Sequence, residues 1–130
     1  MSRRITKKDL SLVRRAKSFA HAGRGLWVFF MSTPNAWLHV LALAVVATLG
    51  VRFSITKEEW LFVIFSCGFV LVAEAFNTAI EIDIDLTSPE YHPHARDTKD
   101  VAAGAVLLAS LTALIIGVCI FGPYLIRALY

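Results

Sequence analysis

Glu74-Ala75-Phe76-Asn77-Thr78-Ala79-Ile80-Glu81 sets two carboxylates and a carboxamide in a stretch otherwise apolar enough to cross a bilayer. An acidic residue at the centre of a membrane helix costs about 2.5 to 3.5 kcal/mol on insertion scales, so intramembrane acids mark functional sites by default. Asp85 lies four residues further on. A helix turns about 100° per residue, which brings Glu74, Asn77, Glu81 and Asp85 onto one face. The segment reads as a membrane helix with one polar wall.

Composition extends this reading to the whole chain. Its 130 residues are 57% hydrophobic, with a mean hydropathy of +0.64, too apolar for a soluble domain of this size. Apolar runs cover 36–51, 60–73 with a continuation through 82, and 101–126. Each approaches or exceeds the roughly 20 residues that span a hydrocarbon core. The expectation is a single all-α integral membrane domain, with a surface helix over about 7–31 and transmembrane helices over 35–53, 58–84 and 99–127. No cleavable signal peptide is expected, because the first 25 residues carry eight Lys or Arg and no central apolar block. Cys67 and Cys119 fall inside spans, where free cysteine behaves as a small hydrophobe and no disulfide is needed.

Basic residues cluster ahead of the first span: Arg3, Arg4, Lys7, Lys8, Arg14, Arg15, Lys17 and Arg24. The positive-inside rule then makes the N-terminus cytoplasmic. Three crossings put the polar end of the second span, the start of the third and the basic segment on that same side, where nucleotides are available. The basic segment interleaves its cations with Leu10, Val13, Phe19, Leu26, Trp27, Phe29 and Phe30 and has no proline before Pro34. It predicts an amphipathic helix at the interface. Such a helix can anchor to anionic lipid, and its cations, Arg14 foremost, can reach a bound phosphate. Thr33-Pro34-Asn35 is a natural break before the first span.

The stretch 85–98, with Pro89, Pro93, His92 and His94, is polar and proline-bearing and reads as a cytoplasmic connector. Its H-x-H spacing is common in ordinary loops and does not assign a metal site. Lys99-Asp100 opens the third span and runs into Ala102-Ala103-Gly104-Ala105, small residues of the kind that let membrane helices approach closely.

Four acids near one interface, Glu74, Glu81, Asp85 and Asp100, repel one another unless positive charge sits among them. Magnesium, which favours one or two carboxylates plus phosphate oxygens, fits this requirement when a nucleotide brings the phosphates. Lys99 and the N-terminal arginines are the counter-charges to phosphate. Glu74 lies about 16 Å along the helix axis from Asp85, deep enough to meet a lipid hydroxyl. A deep base, a shallow metal site and a basic floor suit phosphoryl transfer from a nucleotide to a lipid alcohol. The plain alternative is that the acids pair with Lys99 and arginines to hold helices together.

Glu74-x-x-Asn77-Thr78-Ala79-Ile80-Glu81-x-x-x-Asp85, followed by Glu90-Tyr91-His92-Pro93 and Lys99-Asp100-x-Ala102-Ala103-Gly104-Ala105, resembles the small prokaryotic diacylglycerol kinase and undecaprenol kinase family. The resemblance spans about 14–120. It implies a homotrimer of three-span subunits in the bacterial inner membrane, with active sites shared between neighbours and facing the cytoplasm. It also implies Glu74 as general base, Glu81 as metal ligand, and Asn77, Asp85, Lys99 and Asp100 as lining of the nucleotide and phosphate site. Arg14 aligns by spacing with a basic phosphate contact. Magnesium and ATP are the implied cofactor and donor, a lipid alcohol the implied acceptor, and no nucleic acid is expected as a partner. Ala103-Gly104, Asn77-Thr78 and His92-Pro93 lean toward the undecaprenol kinase branch.

Two positions depart from the family pattern. Thr33 stands where the family usually carries a metal-holding glutamate, and Asp83 where it carries an apolar residue. Asp83 falls about 160° from the centre of the polar wall, which makes it an interface residue. The lead expectation is an ATP- and magnesium-dependent undecaprenol kinase. Its alternatives are a diacylglycerol kinase making phosphatidic acid and a non-catalytic membrane assembly or regulatory subunit.

Overall fold

A computed structural model describes residues 7–130, with side chains from Val13 on; Arg3 and Arg4, and the side chains of Lys7, Lys8 and Leu10, lie outside the described residues. Four helices follow in order: α1 Lys7–Ser32, α2 Pro34–Phe53, α3 Lys57–Thr87 and α4 Pro93–Leu129. They form two units, one ending at Ser32 and one running Thr33–Tyr130. In the first unit α1 leaves Phe19, Leu26 and Trp27 exposed beside its cations.

In the second unit, α2, α3 and α4 are each long and apolar enough to cross a membrane. Exposed side chains along them include Leu61, Phe65, Phe69, Leu108 and Ile115. An outward apolar surface of this extent suits lipid and would aggregate in water. At 1.5 Å per residue, α3 and α4 reach about 46 Å and 55 Å, well beyond a hydrocarbon core of about 30 Å. Both continue as helices past the apolar layer.

That continuation departs from the expected connector at 85–98. Only residues 88–92 lie outside helix there. Polarity in this stretch marks contact with water and not loss of helix. Thr87 back-bonds through its hydroxyl to the Asp83 carbonyl, and the Ser88 N–H donates to Ile84, so α3 keeps its ladder through Thr87. Pro93 takes the first helical position of α4, where its missing N–H has no partner to lose. His92 caps that helix, its Nδ1 accepting from the His94 N–H at 3.3 Å.

The end of the bundle opposite that connector is clamped. Pro34 pre-sets the first turn of α2, away from this end. At its far end Ser54 takes a left-handed conformation (φ 50°), and the Ile55 N–H returns to the Gly50 carbonyl. Thr56 and Glu59 form a reciprocal capping box at the start of α3. The Tyr124 hydroxyl of α4 donates to Glu59 Oε2 at 2.9 Å, and its ring stacks on Phe53 at 5.7 Å. Ile55, Val63, Ile120 and Phe121 make the buried core of this end, with Trp60 and Leu49 against it. Gly50 allows a close approach here: a Cβ would stand 2.7 Å from the Trp60 ring, so the ring or the helix would have to shift.

Candidate functional site

Helix α3 carries the polar wall across the bundle. Glu74 is 2% exposed and Asn77 9%, Glu81 is half-buried and Asp85 exposed. Exposure thus rises along the wall toward the 88–92 connector. Asn77 Nδ2 donates to Glu81 Oε1 at 3.1 Å, linking the middle of the wall. Asn77 Oδ1 and Glu74 Oε1 are both buried without a hydrogen-bond partner. Buried acceptors left unmet are expensive, and two of them one helical turn apart call for a donor or a cation.

Helix α4 supplies the positive charge. Lys99 Nζ meets Asp85 Oδ1 at 2.5 Å, a bridge between residues 14 apart in sequence that fixes the register of α4 against α3. Asp100 does not join the wall. It turns to Arg96 at 3.8 Å, and Arg96 also reaches Asp97 at 3.4 Å. The expected set therefore divides into Glu74, Asn77 and Glu81 along α3, the Asp85–Lys99 bridge, and Asp100 paired along its own helix. Arg14 lies on α1, in the other unit, where its carbonyl accepts from the Ser18 hydroxyl. Asp83 is exposed.

Two threonines join the site that residue patterns alone did not connect. The Thr78 hydroxyl donates to the Glu74 carbonyl at 3.0 Å, and Thr33 Oγ1 lies 2.7 Å from Thr78 Oγ1, both side chains buried. A hydroxyl has one hydrogen to give. Thr78 spends its own on Glu74, so Thr33 is the donor between them. The start of α2 is thereby tied to the turn of α3 that holds Glu74. Thr78 follows Glu74 by four residues, the spacing at which threonine back-bonds on a helix; its link to Thr33 depends on inter-helix register.

Among the described residues no three His, Cys, Asp or Glu side chains converge into a complete metal cage. Magnesium does not ask for one, because it takes one or two carboxylates and completes its shell with phosphate oxygens and water. The Glu81 carboxylate and the unmet Asn77 Oδ1 fit that incomplete donor set.

Comparison with known proteins points the same way as the geometry. A family model described as prokaryotic diacylglycerol kinase matches residues 20–121. The chain is 39% identical over 114 residues to an undecaprenol kinase of Bacillus subtilis, covering 88% of this chain and 93% of that protein. It is 34% identical to a diacylglycerol kinase of Synechocystis sp. over 84% of this chain and 63% of that one. A diacylglycerol kinase of Helicobacter pylori is 30% identical, over 94% of this chain and 97% of its own length.

Proposed function

The chain belongs to the prokaryotic diacylglycerol kinase family and is a membrane lipid kinase, and we propose that it phosphorylates undecaprenol with magnesium and ATP. The observation that carries this is Glu74: a fully buried carboxylate with an unmet oxygen, at membrane depth, on the wall that ends at Asp85 and Lys99. Glu74 accepts the proton of the lipid hydroxyl as that oxygen bonds to the γ-phosphorus and the bond to ADP breaks. Phosphoryl transfer asks little covalent chemistry of a protein, so positioning and charge dominate. Asn77 holds Glu81 in place. Asp85 and Lys99 exchange their mutual bridge for contacts with the nucleotide, and Asp100 directly follows Lys99 in sequence. Glu81 and Asn77 Oδ1 would hold magnesium, which when bound would offset phosphate charge. Arg14 is assigned to phosphate on its spacing to the family motif.

The B. subtilis relative and the Ala103-Gly104 and His92-Pro93 pairs favour undecaprenol. Diacylglycerol is the second reading, favoured by the Synechocystis and Helicobacter relatives. The proposal includes a homotrimer in the bacterial inner membrane, with the N-terminus and the Asp85–Lys99 end in the cytoplasm. Purified protein in lipid nanodiscs, labelled ATP and the two alcohols decide between the readings. Magnesium-dependent label is expected in undecaprenyl phosphate and should vanish with chelator. A clear preference for diacylglycerol would reverse the acceptor assignment, and no transfer to either alcohol would sink the catalytic reading in favour of an assembly role.

A further inference from the structure

The bond that joins α2 to the turn bearing Glu74 breaks a local rule. Thr33 is the N-cap residue of α2, with extended backbone (φ −117°, ψ 96°). A threonine there normally accepts, through its hydroxyl, a backbone N–H from the first turn of its own helix. Thr33 makes no such bond. Its hydroxyl instead donates across to Thr78 on α3 at 2.7 Å. The face of α2 that carries it is the covered one: Thr33 and Ala36 are buried, whereas Pro34, Asn35, Trp37 and Leu38 are exposed. Departures from local preference gather at functional or strained sites. A residue before proline is held extended in any case, so strain does not account for this one.

The bond reaches the turn of the proposed base. Thr78 passes its own hydrogen to the Glu74 carbonyl at 3.0 Å, so the order runs from Thr33 to Thr78 to the Glu74 main chain. Glu74 Oε1 is buried without a hydrogen-bond partner. With no bond aiming that oxygen, its placement is left to packing and to the backbone of its turn. Among the described residues, the other side-chain hydrogen bonds that tie α3 to a neighbouring helix stand at its two ends, Asp85 to Lys99 and Glu59 to Tyr124. The Thr33–Thr78 bond is the one beside Glu74. A neutral hydroxyl fixes that turn without placing a charge next to the carboxylate.

We propose that Thr33 is a positioning residue for Glu74: its hydroxyl, acting through Thr78, holds this turn of α3 at the height and rotation at which the carboxylate meets the lipid hydroxyl. The inference rests on the reading of Glu74 as the base of a lipid kinase. Thr33 acts on the transfer step, where a misplacement of about 1 Å costs as much as 10²-fold. Nucleotide and magnesium binding do not depend on it.

The test uses the full chain in nanodiscs with the better acceptor of undecaprenol and diacylglycerol, and measures kcat, KM for ATP and the magnesium concentration that gives half-maximal rate. Thr33→Val keeps the side-chain shape and removes the hydroxyl. Thr78 keeps its hydrogen on the Glu74 carbonyl, so no buried donor is stranded. The expected result is a kcat lowered on the order of tenfold, with KM and the magnesium requirement near wild type. Thr33→Ser, which restores the hydroxyl, should recover most of kcat. Thr78→Val cuts the same link from α3 and serves should Thr33→Val fold poorly; adding Thr33→Val to it should cost nothing further, because the two act through one bond. Thr48→Val removes a hydroxyl that bonds back within α2 and should keep the wild-type kcat. An unchanged kcat in Thr33→Val, or no recovery in Thr33→Ser, would overturn the assignment and leave the kinase reading intact. A magnesium requirement that rises as kcat falls would also overturn it, by placing Thr33 in the shell of the metal. If the wild type transfers phosphate to neither alcohol, the kinase reading falls and this one with it.

Discussion

Glu74 is closed off from its surroundings to 2% exposure, yet one of its oxygens has no partner. A base that waits for a lipid hydroxyl requires that combination, since a satisfied carboxylate has no reason to take another proton. Glu74→Gln keeps shape and burial while removing basicity. It is expected to lower transfer by roughly 10²- to 10⁴-fold and to leave nucleotide affinity near wild type, as read by single-turnover rates and equilibrium nucleotide binding; lost binding with persisting transfer would refute the assignment. Thr33 makes the second case. Its hydroxyl is occupied by Thr78 one hydrogen bond away from the Glu74 backbone, so a longer acidic side chain at this position enters the same neighbourhood. Thr33→Glu is expected to lower the magnesium concentration needed for half-maximal rate, on the order of tenfold, because charge count sets divalent affinity. An unchanged magnesium titration would place the residue 33 side chain away from the metal.

Helix elements were legible in the sequence where periodicity spoke, and obscure where partners had to be chosen. The wall of Glu74, Asn77, Glu81 and Asp85 follows from spacing alone, since a helix brings those positions to one face whatever surrounds it. The Asp85–Lys99 bridge and the Thr33–Thr78 bond need the registers of α4 and α2 against α3, which no local pattern carries. Asp100 sits next to Lys99 in sequence and yet turns to Arg96 on its own helix. The ends of α3 and α4 extend beyond what polarity suggests, because residues 85–87 and 94–98 stay helical outside the apolar layer, held by side chains such as Thr87 and Thr98 that bond back one turn. Gly50 belongs to this scale as well, because its lack of a side chain lets α2 meet the Trp60 ring. Gly50→Ala is expected to destabilise the protein by about 1–3 kcal/mol through overpacking, measured as a lowered thermal midpoint in detergent. Trp60→Leu in the same chain should recover part of that loss; equal losses with and without Trp60 would show that the ring is not the obstacle.

As a whole molecule, the chain divides its work along the membrane normal. Packed aromatic and aliphatic groups join α2, α3 and α4 at one end, while acids, amide and lysine occupy the other. The proposed trimer adds a level that one chain does not contain: the light-scattering mass of the protein component in detergent is expected to equal three copies of the 14.4 kDa chain, and a monomer with full activity would defeat the idea of shared sites. The clamp of Gly50, Trp60, Glu59 and Tyr124 lies about 21 Å along α3 from Glu74, counted from Trp60. Substitutions more than about 7–10 Å apart add nearly independently. Heat tolerance in this enzyme is thus a property that evolution or an engineer can retune at the clamp without disturbing turnover, and a saturation screen scored separately for expression and for lipid phosphate should sort its hits by depth in the bilayer.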